Sequence, residues 1–212
     1  MSPPQTSSVE DILREVDEFH MSAGPVRDTL QRLAQSLSAK GIDYAIIGGM
    51  ALALHGFVRP TQDIDLLMSA EGLERFEKEM LGRGYLPAFA GARKHFRDTQ
   101  SGVRIEVITS GEYPGDGKPK PVVFPDPGDA SVEMGGYRVV SLERLIELKL
   151  ASGMTADYRQ LRDLADVQQL IETLDLPLEF DQRLNPSVRD EYKRLWHLAQ
   201  KARKTDSEIQ ED

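Results

Sequence analysis

The stretch from residue 44 to residue 68 constrains the fold more than any other part of this chain. An apolar strand is followed at once by Gly48-Gly49 and a short helix, and a second apolar strand then opens with Asp63 and Asp65. Because side chains alternate along a strand, the two aspartates are predicted to share one face while the isoleucine between them enters the core.

Each part of this stretch matches a need of phosphate chemistry. Two carboxylates on one face repel each other, and a divalent cation with oxygen ligands relieves that repulsion. Glycines let a backbone approach a bulky anion, and the N–H groups that open the next helix favour negative charge. The stretch therefore predicts a site for a metal-bound nucleoside triphosphate.

Composition limits the classes of function that remain. The chain has 212 residues, 40% of them apolar, which is enough for one core and a helical annex. It has no cysteine, so disulfides, thiolate zinc sites and cysteine catalysis are excluded. The first residues lack a secretory signal and no apolar run could span a bilayer, so we expect a soluble, cytoplasmic protein without a membrane partner. A net charge of -9 argues against broad binding to nucleic acid.

Hydrophobic spacing and turn residues predict an α/β (α+β) chain, in which a small mixed sheet is flanked by helices and followed by a helical C-terminal part. The predicted strands are Tyr44–Ile47, Asp63–Met68, Lys94–Arg97, Val103–Ile108 and Tyr137–Val140. The predicted helices are Val9–His20, Val26–Ala39, Met50–His55, Leu73–Leu81, one that Ser141 caps and that continues through Leu150, Tyr158–Leu174 and Arg189–Lys201.

The predicted parts are N-terminal helices in residues 1–40, a core in 41–140, a helical part in 141–203 and a disordered tail in 204–212. The stretch Gly111–Ala130 is dense in proline and glycine, so no regular structure is predicted there. In the helix Tyr158–Leu174 the predicted core residues are Leu161, Leu164, Val167, Leu170 and Ile171. His55, Phe180 and Trp196 are interpreted as packed residues.

A third carboxylate, Glu106, lies in the middle of an otherwise apolar strand, where an unpaired charge would be costly. Metal-assisted transfer to a hydroxyl usually needs a third acidic ligand. Alternation places Glu106 opposite the apolar face of its strand, so we predict that it shares one metal site with Asp63 and Asp65. The alternative is a structural pair with Arg104, two residues earlier on the same face.

These residues together resemble the nucleotidyltransferase superfamily with the polymerase-beta-like fold, and within it the bacterial branch of minimal nucleotidyltransferases and AbiEii-type toxins. The resemblance covers about residues 41 to 170 and rests on Gly48-Gly49, Arg59, Thr61 and Asp63-Ile64-Asp65-Leu66. It implies that the two glycines hold the triphosphate, and that Asp63, Asp65 and Glu106 are the catalytic and metal-binding acids for Mg²⁺ or Mn²⁺.

Three further residues are candidate nucleotide contacts. Arg59 precedes the acidic strand, where it either meets a phosphate or forms a salt bridge. Thr61 enters the same strand and is placed to bond Asp63. The related toxins carry a lysine in a comparable downstream helix, which implies the same role for Lys149; the alternative is a solvated lysine on an amphipathic edge.

The resemblance implies metal-dependent transfer of a nucleoside monophosphate from a triphosphate to a hydroxyl of a small molecule, a tRNA or a protein. Gly49 stands where many members have serine, and Glu106 where aspartate is more usual. These departures motivate the alternative, a nucleotide-binding or partner-binding module without catalysis. An antitoxin or a second copy of the chain is the partner that the family suggests; a nucleic-acid partner is open but not indicated by the charge.

Two clusters have both a structural and a functional interpretation. The basic residues Lys94, His95 and Arg97 either bind phosphate or discourage pairing at a strand edge. The segment 112–121 is a tether, or an acceptor-recognition loop that uses Tyr113, Lys118 and Lys120.

A pair of aspartates in a later helix is predicted to be structural. Asp163 and Asp166 are expected on a solvated face, with Arg159 and Arg162 as partners.

Overall fold

The structure is a computed structural model that describes residues 24–211, with side chains described as far as Arg203 except that of Tyr158. The described residues form two compact units. The first contains residues 24–111 and 125–141, and the second contains residues 112–124 and 142–211. The segment 112–124, which the sequence placed with the core, thus belongs to the second unit. The predicted helix Val9–His20 lies outside the described residues.

One mixed sheet of seven strands forms the centre of the described first unit, in the order β3-β4-β5-β2-β1-β7-β6. The strands are β1 (Ala45–Ile47), β2 (Asp63–Met68), β3 (Tyr85–Pro87), β4 (His95–Asp98), β5 (Arg104–Thr109), β6 (Ser131–Met134) and β7 (Tyr137–Val140). β2 runs parallel to β5 and β1 runs parallel to β7, whereas the other neighbours are antiparallel. This sheet confirms the predicted fold class.

Two of these strands were not predicted. β3 ends at Pro87, and proline normally argues against a strand because it has no N–H to donate. It is tolerated here because β3 is an edge strand that pairs only with β4. β6 is the opposite edge and pairs with β7 through the turn at Gly135-Gly136, both of which have positive φ.

Helices α1 (Gly24–Ala39) and α3 (Ala70–Met80) cover one face of the sheet. Leu30, Leu33 and Leu37 of α1 are fully buried, as the leucine spacing predicts. On α3, Phe76 packs its ring 4.8 Å from that of Phe96 in β4. The odd-numbered residues of β2 and the even-numbered polar residues of β5 are therefore left on the other face.

Two short helices complete the described first unit: α2 (Gly48–Leu54) and α4 (Pro127–Ala130). The prediction that Gly111–Ala130 lacks regular structure is wrong at its end, where α4 forms. Asp126 caps this helix, since its carboxylate accepts a hydrogen bond from the backbone N–H of Gly128 at 2.8 Å. Pro127 then occupies the first turn, where no N–H is needed.

The second unit contains α5 (Leu142–Gly153), α6 (Asp157–Thr173) and α7 (Arg189–Glu211), with 3₁₀ turns at Leu178–Arg183 and Pro186–Val188. α6 packs against both α5 and α7. Leu161 was predicted in the core, but its side chain is 85% exposed. The buried apolar stripe of α6 begins only at Leu164, one turn later.

The prediction of a disordered tail over 204–212 is wrong as far as Glu211, because α7 continues through it. Residues 204–211 contain no proline or glycine. Once a helix is nucleated, each further residue adds one hydrogen bond at little cost, so the charged composition does not end it.

The loop 112–124 is held within the second unit by Lys120. Its ammonium group donates to the carbonyl of Pro114 and to Asp116, each at 2.5 Å, and to the hydroxyl of Thr155 at 2.8 Å. Thr155 lies in the turn between α5 and α6. Lys120 therefore fastens the loop to the turn after α5.

Candidate active site

Three carboxylates lie on one face of the sheet of the first unit. Asp63 and Asp65 both project from the face of β2 that α1 and α3 leave uncovered, and each is half-buried. The parallel register of β2 and β5 sets Glu106 directly opposite Asp65. Paired residues of neighbouring strands point to the same side, and the strands are about 4.8 Å apart. The predicted alternation of β5 is thus confirmed, with Glu106 on the acidic side.

The double glycine is required by the close approach of two side chains. Gly48 has a φ of +68°, and a Cβ atom placed there would lie 1.8 Å from an oxygen of the Asp65 carboxylate. A Cβ atom at Gly49 would lie 2.7 Å from the hydroxyl oxygen of Thr61. The acidic strand and the turn after β1 are in contact only because both residues lack a side chain.

Thr61 orients the first aspartate. Its buried hydroxyl is 3.2 Å from a carboxylate oxygen of Asp63, to which it donates, and 3.3 Å from the backbone carbonyl of the same residue. This confirms the predicted bond between the two residues. Just before it, the half-buried Arg59 donates to the carbonyl of Pro60 at 3.3 Å. Contacts of Thr61 and Arg59 with a nucleotide stay predictions.

The side chain next to Glu106 is that of His95 in β4, not that of Arg104. The imidazole Nε2 lies 3.7 Å from a carboxylate oxygen of Glu106, and the register of β4 and β5 sets the two residues opposite each other. The side chains are 51% and 39% exposed, respectively. The alternative pairing of Glu106 with Arg104 is therefore wrong, and sequence spacing missed His95 because it approaches from another strand.

The acidic residues of this face offer the oxygen donors that a divalent metal ion needs. Carboxylate oxygens are suitable ligands for Mg²⁺ or Mn²⁺, and those of Asp63, Asp65 and Glu106 share one face. In the described part of the chain, however, no three acidic or histidine side chains are arranged around a common point. Asp65 instead lies against Gly48. The donor chemistry fits a divalent metal, and the three-carboxylate set stays a prediction.

Lys149 is buried within the second unit. Its ammonium group lies 3.0 Å from the carboxylate of Asp163 and 2.6 Å from that of Asp166, and all three side chains are buried. The predictions that the lysine and the two aspartates are solvated are both wrong. Residues from α5 and α6 form this cluster, so spacing within either helix could not reveal it.

Two other polar residues have structural contacts. The imidazole Nε2 of His55 is 2.8 Å from the carbonyl oxygen of Val140, which agrees with its interpretation as a packed residue. Glu147, which sequence reasoning did not single out, is buried in α5 and accepts hydrogen bonds from Arg144 at 2.6 Å and from the backbone N–H of Asn185 at 2.5 Å. Glu147 therefore ties α5 to the second 3₁₀ turn.

Trp196 is half-buried, and its indole N–H donates to the carbonyl of Leu176.

A mixed sheet with paired aspartates on the strand that follows a double-glycine turn is the arrangement on which the resemblance to nucleotidyltransferases rests. A family model described as "Uncharacterised nucleotidyltransferase" matches residues 3–199, and the chain belongs to this family. No curated protein matches the chain. None of the described helices is both long enough and apolar enough to cross a membrane.

Several solved structures resemble the chain. A candidate nucleotidyltransferase from Thermotoga maritima is 20% identical, with 70% of this chain and 91% of that chain covered and a TM-score of 0.43. An antigenic nucleotidyltransferase-like protein from Paracoccidioides brasiliensis is 19% identical, with coverages of 94% and 92% and a TM-score of 0.48. A candidate nucleotidyltransferase from Helicobacter pylori is 16% identical, with coverages of 90% and 98% and a TM-score of 0.46.

Proposed function

We propose that this protein transfers a nucleoside monophosphate from a nucleoside triphosphate to a hydroxyl acceptor, with Mg²⁺ or Mn²⁺ as cofactor. The observation that carries the proposal is the register of β2 and β5, which sets Glu106 opposite Asp65 beside the Gly48-Gly49 turn. Family membership supports nucleotidyl transfer in general. The metal, the nucleotide and the acceptor are parts of the proposal.

The reaction forms a bond between the acceptor oxygen and the α-phosphorus. The bond from that phosphorus to the oxygen bridging to the β-phosphate breaks, and pyrophosphate leaves with the electron pair. Glu106 accepts the proton of the acceptor hydroxyl. His95 lies beside it, with the imidazole Nε2 3.7 Å from the carboxylate. When bound, the metal ion would neutralise charge on the phosphates and make the hydroxyl more acidic.

The remaining residues have positioning roles. Asp63 and Asp65 hold the metal together with Glu106, and Thr61 keeps the Asp63 carboxylate in place. Gly48 and Gly49 let the phosphates approach the backbone closely. Arg59 and Lys149 are proposed nucleotide contacts, as the resemblance implies. Placement in the AbiEii-type branch, an antitoxin partner and a cytoplasmic location belong to the same proposal.

The decisive experiment uses nucleoside triphosphates labelled at the α-phosphate, incubated with cell extract and Mg²⁺. We expect the wild-type protein to transfer label and release pyrophosphate, and Asp65→Asn and Glu106→Gln to lose at least about 100-fold in rate, as removal of a catalytic group does. Asp129→Asn, which neutralises an exposed carboxylate on α4, is the matched control. Full transfer by Asp65→Asn would refute the proposal.

A second candidate function is a nucleotide-binding or partner-binding module without catalysis. It is favoured by the lack of three convergent ligands in the described residues and by the replacement of the usual serine by Gly49. Calorimetry with ATP, GTP, CTP and UTP, each with and without Mg²⁺, separates the two functions when combined with the product assay. Tight binding without pyrophosphate release would support the module.

A further inference from the structure

Two arginines face each other on the acidic side of the sheet. The antiparallel register of β4 and β5 sets Arg97 opposite Arg104, and the parallel register of β5 and β2 sets Arg104 opposite Asp63. Both arginines are exposed. In the part of the chain that the structure describes, neither guanidinium has an ion pair or a hydrogen bond.

This arrangement is unfavourable for the protein alone. Like charges directly opposite each other on neighbouring strands destabilise a sheet. The chain carries 35 acidic and 26 basic residues, so acidic partners are plentiful. On the same face of these two strands, the next pair of residues combines a basic with an acidic residue, since His95 lies opposite Glu106. Asp63 lies opposite Arg104, yet within the described residues neither guanidinium contacts a carboxylate. Two facing arginines without such a contact therefore favour an anionic ligand.

The position of the pair distinguishes this ligand from the triphosphate. Across the sheet the order is β4, β5, β2 and β1, so the acids of β2 lie between the arginines on one side and the Gly48 turn after β1 on the other. Each step between strands is about 4.8 Å. Arg104 is thus one step, and Arg97 two steps, from the strand of Asp63. An anion held there would lie on the side of the β2 acids away from the Gly48 turn, where the triphosphate is proposed to bind.

We infer that Arg97 and Arg104 bind a phosphate group of the acceptor, which is a small phosphorylated hydroxyl compound; this inference rests on the proposed transfer reaction. Guanidinium forks bind phosphate oxygens through paired, charge-assisted hydrogen bonds. Two such charges match one phosphate monoester, which carries about two negative charges at neutral pH. The net charge of -9 opposes a long polyanion such as RNA.

The first test identifies the acceptor class. Extract of the source cells is separated into small-molecule, RNA and protein fractions, and half of each is treated with alkaline phosphatase that is then removed. Each half is incubated with the protein, Mg²⁺ and nucleoside triphosphates labelled at the α-phosphate. We expect label in the untreated small-molecule fraction and its loss after phosphatase treatment. Label confined to RNA or protein, or small-molecule label that survives the phosphatase, overturns the inference.

Variants then test the arginines. At a low concentration of the labelled fraction, Arg97→Ala and Arg104→Ala should each label about tenfold more slowly or worse, as loss of a charge-assisted contact predicts. Raising the concentration should restore the rate, because acceptor affinity and not chemistry is reduced. The control Lys78→Ala removes an exposed positive charge from α3, which covers the opposite face, and should match wild type. If the arginine variants transfer label at the wild-type rate at low acceptor concentration, the inference is overturned.

The two proposals fail in different ways. If wild type labels nothing in any fraction, the proposed transfer and this inference are both refuted, whereas label independent of the arginines refutes the inference alone. A further measurement needs no acceptor: inorganic phosphate should raise the Tm of wild type but not that of the Arg97→Ala, Arg104→Ala double variant. Without phosphate the double variant should be at least as stable as wild type. If the double variant is less stable than wild type without phosphate, the two arginines stabilise the fold itself, and the inference is overturned.

Discussion

Replacing Gly48 by alanine tests how the glycine turn and the acidic strand depend on each other. Gly48 has a φ of +68°, and left-handed backbone costs a residue with a Cβ atom about 1–2 kcal/mol. The added Cβ would also lie 1.8 Å from the Asp65 carboxylate oxygen, which must move. Overpacking of this kind costs about 1–3 kcal/mol. The free energy of unfolding of Gly48→Ala should therefore fall by about 2–5 kcal/mol in total.

Gly82 is the matched control for the cost of placing a residue with a Cβ atom in left-handed backbone. Its φ is +73°, nearly that of Gly48, but a Cβ atom there would meet nothing within 4 Å. Gly82→Ala should therefore cost only the backbone term, about 1–2 kcal/mol. Urea denaturation of both variants, followed by circular dichroism, measures the difference between them.

A double variant tests whether the Asp65 carboxylate causes the part of the Gly48→Ala destabilisation that exceeds that of Gly82→Ala. An Asp65→Ala background removes the carboxylate atoms at 1.8 and 2.7 Å and leaves only the Cβ atom of residue 65 at 3.0 Å, so most of the excess cost of Gly48→Ala over Gly82→Ala should disappear there. If Gly48→Ala is no more destabilising than Gly82→Ala, or if its excess cost persists without the carboxylate, the contact between Gly48 and Asp65 is not what requires a glycine.

Three further predictions concern stability. Lys149→Met leaves two buried aspartates without their cation and should lower the free energy of unfolding by about 3–5 kcal/mol, whereas a loss below about 1 kcal/mol would contradict the burial of the cluster. Burial raises the pKa of Asp98, but hydrogen bonds from Ser101 and the charge of Arg32 outweigh it, so the pKa lies below its usual value of 3.8. The stability that Asp98 contributes should be present above pH 3.8 and lost as the pH falls through its lowered pKa, and Asp98→Asn should flatten the acid limb of a stability–pH curve. Gly49→Ser should destabilise by about 1–3 kcal/mol in chemical denaturation, because the added Cβ would lie 2.7 Å from the hydroxyl oxygen and 2.9 Å from the Cβ of Thr61; Thr61→Gly, which removes both atoms, should relieve more of this cost than Thr61→Ala, which removes only the first.

Local patterns were sufficient for the elements that carry the acids. The alternation in β2 and β5 predicted which side chains share a face, because the period of a strand is two residues in any tertiary context. The same reasoning failed where the elements are short or lie at an edge. β3 contains a proline, and its pairing with β4 is visible only in the assembled sheet.

Most of the wrong predictions concern residues whose surroundings come from another helix or strand. Lys149 and its aspartates are individually typical surface residues on amphipathic helices, and only the packing of α5 on α6 buries them together. Leu161 shows the reverse case, since its spacing suits the core but no element covers it. Periodicity within one helix specifies a face, not the width of the surface that a neighbour buries.

The sequence by itself determined the family, the acidic strand and the glycines after β1, because these depend on residue type and on local periodicity. The tertiary structure alone decided that Glu106 lies opposite Asp65, that His95 and not Arg104 is its partner, and that Arg97 faces Arg104. The physical reason is that strand order and register are set by the burial of whole faces, which sums contributions from the entire chain. Which distant residues become neighbours therefore depends on the packing of the whole chain and not on any local pattern.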